Sequence, residues 1–380
     1  MTATVRLITD EHELEPYVEA WDALAAAARR PMAAPGWLLP WWRHAAPAGA
    51  VLRTVVVEDA AGLVGVAPFF GQPGRLGRWD YRLIGVPVSQ RVGPVAAAGR
   101  EQELMAAVAA TLSRARPSPT LISFEAVDEE SRWPELLAES YPGLLPPRIA
   151  RGTVQACPMV TLQQKDFGLW LEDRSSNFRQ QLRRARRQLA TAGGRTRLAD
   201  AESLERDVDS LLRLHHSRWD WRGGSALPER TRELLLDSAA MLGAGERLRL
   251  WIVEVGDEAI GAGLFVAGGG EIVYVNGGFD ETHARLRPAV LAIAAAVEEG
   301  FERGEQRLDL GSGASPYKLR FADAEPSLRW LALRIRGARY PVTWAQLLPG
   351  DLRWYTRRTV NRLPEGPRER LKSAVRALRR

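Results

Sequence analysis

The sequence predicts a mixed α+β fold of two domains with similar element order. Three observations carry this. A length of 380 residues exceeds what one hydrophobic core usually serves. Residues 251–321 hold three strand patterns, a helix pattern and a further strand-like segment in one short run. The first half shows a comparable order of strands and helices without a close sequence repeat. The boundaries that follow are residues 1–155, residues 156–338, and a basic, partly helical tail over 339–380.

Each element has its own signal. Residues 5–8 read as a first strand, and Asp10 caps the next helix with Glu13 three residues later. Leu14, Val18, Trp21 and Leu24 then recur at helical spacing. Residues 35–44 form a short helix dense in tryptophan. Residues 52–57 and 62–70 read as paired strands, 81–86 and 121–126 as further strands, and 101–114 as a helix. In the second half, residues 166–173 suit a short helix, and Ser175 caps a longer one that Gly193 and Gly194 stop. Helices over 201–219 and 229–242 precede the strand-rich run. Leu286, Val290, Ile293, Val297 and Phe301 form the buried stripe of the last of its helices, with Pro288 in the first turn.

Composition narrows the function classes. No run approaches the roughly 18 apolar residues that span a bilayer. The N-terminus lacks a basic region followed by an apolar stretch, so the expected location is the cytoplasm. A single cysteine, Cys157, excludes an internal disulfide framework, and with five histidines it argues against a structural metal. The formal net charge is +6, and three lysines stand against forty-nine arginines. The excess is concentrated in residues 179–197 and 339–380, where contact with RNA or a membrane surface is the expectation to weigh.

Four groups of residues can carry chemistry. Phe178, Leu182, Ala185 and Leu189 form one apolar stripe, which leaves Arg179, Arg183 and Arg186 on a neighbouring face able to hold phosphates. An ordinary solvated helix face is the competing reading. His215 or His216 can serve as a base near neutral pH, and Trp219 and Trp221 can wall a pocket, against plain packing and capping. Arg285 and Arg287 precede a helix N-terminus, where free amides and the dipole favour a pyrophosphate. Asp309 lies on a strand ahead of Gly311 and Gly313, with Tyr317 and Lys318 close behind. An acid, a phenol and an amine at one strand end can position an acceptor and move its proton. No phosphate loop and no nucleophile elbow is present, since Ser312 lacks a glycine two residues later.

The tryptophan helix (Trp37, Trp41, Trp42), the arginine helix from Asn177 to Arg187, the segment from Arg218 to Ser225, and Asp309-x-Gly311-x-Gly313 followed by Tyr317-Lys318 resemble the GNAT-fold acyltransferases of the BioF2-like, cellulose-biosynthesis-associated family, which is related to the Fem-type peptidyl transferases. The resemblance implies tandem GNAT-like domains, each a mixed, mostly antiparallel sheet flanked by helices. It implies acyl transfer from acetyl-CoA or another acyl-CoA to a sugar, amino sugar or other small acceptor, without a metal. On that footing Asp309, Tyr317 and Lys318 are catalytic; Asn276, Gly277, Arg285 and Arg287 bind the cofactor; and Arg179, Arg183, His216 and Trp219 bind substrate. The usual pyrophosphate signature is absent, with Arg285 to Val290 in its place, and Ala314 stands where an acidic residue is expected. Two alternatives stay open: an aminoacyl-tRNA-dependent Fem-type transferase, and a non-catalytic GNAT pair acting as a binding or scaffold subunit, its tail touching a membrane surface or partner.

Overall fold

A computed structural model describes residues 3–219, 227–313, 315–337 and 339–348; the side chains of Arg151, Arg218 and Trp219 lie outside the described residues. The first half contains β1 (Thr4–Ile8), α1 (Val18–Ala27), α2 (Pro35–Ala45), β2 (Val51–Leu52), β3 (Thr54–Asp59), β4 (Gly62–Ala67) and β5 (Phe69–Pro73). It continues with β6 (Trp79–Leu83), β7 (Val95–Ala96), α3 (Glu101–Arg114), β8 (Leu121–Asp128), α4 (Trp133–Ser140) and β9 (Arg148–Ala156). The second half contains β10 (Met159–Thr161), α5 (Phe167–Glu172), α6 (Ser176–Thr191), β11 (Gly194–Leu198), α7 (Leu204–Trp219) and α8 (Thr231–Leu242). Then follow β12 (Leu248–Val255), β13 (Glu258–Gly268), β14 (Glu271–Phe279), α9 (Pro288–Glu302), β15 (Arg307–Asp309), α10 (Pro316–Leu319) and β16 (Ser327–Arg334).

These form three sheets with helices against them: β1-β3-β4-β7, β2-β5-β6-β8-β16-β9 and β10-β15-β14-β13-β12-β11. The fold is mixed α+β, as the sequence predicts. Local chemistry sets several boundaries. Asp10 and Glu13 make a reciprocal capping box, though the first turn behind it is 3-10 and the α-helix starts only at Val18. The Ser175 side chain accepts from the Phe178 amide and opens α6. The stretch 62–70, expected as one strand, is two. Pro68 has no amide hydrogen for a ladder, and on either side of it β4 and β5 enter different sheets.

β16 lies between β8 and β9, antiparallel to both. It follows the whole second half in sequence yet belongs to a sheet of the first. A division at residue 155 therefore separates β16 from the strands it is bonded to.

One core runs through both halves. Trp21, Trp37 and Trp41 of α1 and α2 share it with Leu211, Leu235 and Leu242 of α7 and α8. Gly36 makes the closest approach possible, because a Cβ there would sit 2.8 Å from Leu242 Cδ2. On the opposite face of the second-half sheet, Trp170, Phe178 and Phe321 anchor a second core beneath α5, α6 and α9. Phe321 meets Phe178 edge-on at 4.9 Å and stacks on Trp170 at 6.2 Å.

The buried Leu333 of β16 tests the shared sheet. Leu333→Ala is expected to cost about 2–5 kcal/mol, as for other buried leucines. Chemical denaturation should show it as a lowered midpoint in one transition common to both halves.

Candidate active site where two strands part

The site begins with a parting of strands. β14 and β15 run parallel but pair only over Glu271–Arg307, Ile272–Leu308 and Val273–Asp309. Beyond Val273 and Asp309 they diverge. On its other edge β14 pairs Leu264 with Asn276 and Phe265 with Tyr274, so Val275 is an extra, bulged residue. A bulge leaves backbone groups outside the ladder and turns the strand. Two glycines follow. A Cβ at Gly277 would lie 2.4 Å from the Tyr274 hydroxyl, and one at Gly278 would lie 2.5 Å from the carbonyl carbon of Leu214. Helix α7 thus rests directly on the strand's backbone, and only glycine admits it.

The facing wall is the loop 310–313. Its four amides each have a different acceptor: Leu310 donates to Pro158 O at 2.9 Å, Gly311 to Asp309 Oδ1 at 2.7 Å, Ser312 to Gln90 Oε1 at 2.7 Å and Gly313 to Ala156 O at 3.1 Å. Asp309 is fully buried. Its carboxylate pairs with Arg91 and accepts from Cys157 Sγ at 2.9 Å. Burial, together with Asp309, pushes the Cys157 thiol up to about 12, which makes it a poor nucleophile.

Lys318 reaches the same place. Its Nζ donates to Gly311 O at 3.3 Å and Ser312 O at 3.2 Å, and lies 5.8 Å from the centre of the Tyr274 ring. Burial lowers its pKa, against the opposing influence of Cys157 and Asp309. Gly311 adopts φ +78°, and a Cβ there would meet Tyr274 O at 3.5 Å, Lys318 Nζ at 3.6 Å and Gln90 Nε2 at 3.8 Å. Groups from β14, α10 and the first half therefore converge on the gap. Tyr317 is half-buried against the second core.

A basic cavity of about 520 Å³ opens beside the start of α9. One wall is the face of α6 that carries Asn177, Gln180, Gln181, Arg184 and Gln188; the other is Ala284, Arg285 and Arg287. Arg287 takes the left-handed conformation at φ +56° as the residue before Pro288. Its Nη1 donates to Gln181 Oε1 at 2.6 Å, and Arg320 Nη1 donates to the same oxygen at 2.8 Å. Among the described residues no carboxylate lines the cavity. A donor set of arginines and amides fits a phosphate group of a coenzyme A.

The expected site residues are spread unevenly over this geometry. Asp309, Lys318, Asn276 and Gly277 flank the parting strands, Tyr317 packs against the second core, and Arg285 and Arg287 line the cavity. Arg179 turns back to the carbonyl of Arg174 at 2.9 Å, closing the end of the preceding helix. Arg183 is exposed, and Arg184 stands in the cavity wall. His216 is exposed while His215 is buried, and the Trp219 side chain lies outside the described residues. Gln90, Arg91, Tyr274 and Arg320 were not singled out by the sequence. Among the described residues there is no group of three or more metal-ligating side chains, and no helix is long and apolar enough to cross a membrane.

Residues 176–319, less than half of the chain, match the family described as "Acetyltransferase (GNAT) domain". The match covers α6 through α10 and both walls of the gap. No curated protein matches the chain in sequence. FemX aligns in structure with a TM-score of 0.62 and 10% identity, over 89% of this chain and 99% of that one. A conserved protein of unknown function from Bacteroides thetaiotaomicron aligns at 0.55 and 11%, over 87% and 100%. L-PGS from Bacillus licheniformis aligns at 0.53 and 14%, over 88% and 95%. At these identities the likeness is one of fold, and it extends across both halves. Residues 176–319 thus carry the match to a GNAT acetyltransferase domain, and the likeness of fold to FemX spans both halves.

The buried thiol gives a direct check. Cys157 is expected to resist alkylation in the native protein near neutral pH and to react fully once the chain is unfolded. Mass spectrometry before and after denaturant reads the difference.

Proposed function

We propose that this chain is an acyltransferase that takes acyl-CoA at the parting of β14 and β15 and transfers the acyl group directly to a sugar, amino sugar or other small acceptor. The observation that carries the reading is the gap itself, with a basic cavity lined by arginines and side-chain amides at the start of α9 beside it. Arg184, Arg285 and Arg287 would hold the coenzyme's phosphates, and Asn276 and Gly277 would border its thioester arm. The coenzyme supplies an acyl group on a sulfur leaving group. The acceptor's nitrogen or oxygen would attack the thioester carbonyl carbon, the C–S bond would break, and the acceptor's proton would leave with the thiol.

The chain's own contributions are positional and electrostatic. Backbone left outside the ladder by the bulge at Val275 would offer donors to a developing oxyanion without reorganising. Lys318 holds the 310–313 loop by two carbonyls and places its amine in the gap, while the hydroxyl of Tyr317, the residue before it, would be the group for proton movement. Asp309, being fully buried, acts by fixing that loop. Cys157 takes no covalent part. The family resemblance in the sequence supports a role in exopolysaccharide or cell-envelope synthesis.

Saturating acetyl-CoA should raise the melting temperature, because a ligand bound only by the native state stabilises it. Arg285→Ala with Arg287→Ala should remove most of that shift. No shift with acetyl-CoA and a clear one with tRNA would replace this reading with the aminoacyl-tRNA one. No shift with either would favour a binding subunit.

Lys318→Ala is expected to reduce thioester turnover far more than Lys165→Ala, which alters an exposed residue. Lys318 also has a pH signature. Its folded pKa lies below the ordinary lysine value of 10.5, so unfolding takes up a proton between the two values. Stability should therefore rise with pH across that window, and Lys318→Met should flatten the rise in urea denaturation.

A further inference from the structure

The loop that walls the gap is held from outside its own half. Gln90 of the first half accepts from the Ser312 amide at 2.7 Å and donates from Nε2 to Ser312 Oγ at 2.9 Å. The next residue, Arg91, pairs its guanidinium with Asp309 and with Asp128 at the end of β8. Arg91 itself is fixed in the left-handed region at φ +57°, and its amide donates to Ala126 O at 2.8 Å. Such a backbone conformation is uncommon outside glycine and persists where its surroundings over-determine it.

The contacts divide the work. Within its own half, the loop's amides are met only by Pro158 and by Asp309, which is itself paired to Arg91. Gly313 is tied to Ala156 at the end of β9. Among the described residues, Ser312 has Gln90 as its amide acceptor and its side-chain partner. The Gln90 amide nitrogen is also one of the three groups converging on the space above Gly311. The first half thus reaches into the gap and sets where the loop stands opposite β14.

We propose that the Gln90–Arg91 turn is the positioning element of the acyl-transfer site, so that the site is composite and the first half fixes its width. This rests on the acyl-CoA reading for its catalytic meaning and on geometry alone for the loop. Gln90 and Arg91 act through the loop and are positioning residues.

The test uses the full chain with Gln90→Ala, and Gln90→Glu as the variant that keeps an acceptor for the Ser312 amide. Hydrogen exchange at Ser312, which needs no ligand, is expected to quicken about tenfold in Gln90→Ala and to stay near wild type in Gln90→Glu. Turnover of acetyl-CoA with glucosamine as probe acceptor, read as free thiol, should fall about tenfold or more in Gln90→Ala, as misplacement of reacting groups would cause. Calorimetric affinity for coenzyme A should stay within about twofold, and Gln90→Glu should restore turnover. Unchanged exchange at Ser312 in Gln90→Ala overturns the proposal, as does an equal loss in both variants. If wild type neither binds coenzyme A nor releases thiol, the acyl-CoA reading fails while the exchange result still decides the role of Gln90.

Discussion

A carboxylate with no exposure to water constrains the rest of this structure. Asp309 ends the paired part of β15, and burying its charge is tolerable only with every partner in place. Those partners come from three places: the Arg91 guanidinium from the first half, the Cys157 thiol from the crossover between halves, and the Gly311 amide from its own loop. Arg91 in turn needs Asp128 at the end of β8. Displacing one half against the other would break this set and leave a buried charge exposed to an apolar surrounding. The gap between β14 and the loop is therefore fixed by the same contacts that fix the two halves.

Packing reinforces the arrangement by a different route. The tryptophans of α1 and α2 fill a core shared with α7 and α8, and α7 lies on the backbone of β14 at Gly278. Helix α9 touches β13 where Gly261 leaves room for Pro288, a Cβ there falling 2.4 Å from the proline ring. The helix that opens the basic cavity is thus seated by a glycine on one strand. Phe321, stacked on Trp170 and edge-on to Phe178, ties the end of α10 to α5 and α6 and so fixes where Lys318 begins its reach.

Much of this was legible in the sequence because its causes are local. Helices α3, α6 and α9 declare themselves by spacing, capping and Pro288, and the motif of Asp309, Gly311 and Lys318 marks one wall of the gap. β9, β11 and β16 were not anticipated. Their alternation is interrupted by arginines whose charges are met only in the folded chain, as when Arg195 and Arg197 both bond Glu254 at 2.6 and 2.8 Å. Gln90 and Arg91 carry no local signal at all, since the loop groups they hold, Ser312 and Asp309, lie more than two hundred residues away. Arg179 and Arg184 share one helix, and only the neighbouring carbonyls and the position of α9 decide which of them faces the cavity.

The place of β16 bears on how the chain comes into being. The second half leaves the first at β9 and returns at β16, and these two strands are neighbours in one sheet. During synthesis β8 must wait, with its outer edge unpaired, until the whole second half up to β16 has emerged. An open edge of that kind is where a growing polypeptide is most exposed to wrong partners. The first half cannot mature ahead of the second, and β16 on its arrival closes the sheet and seals the assembly.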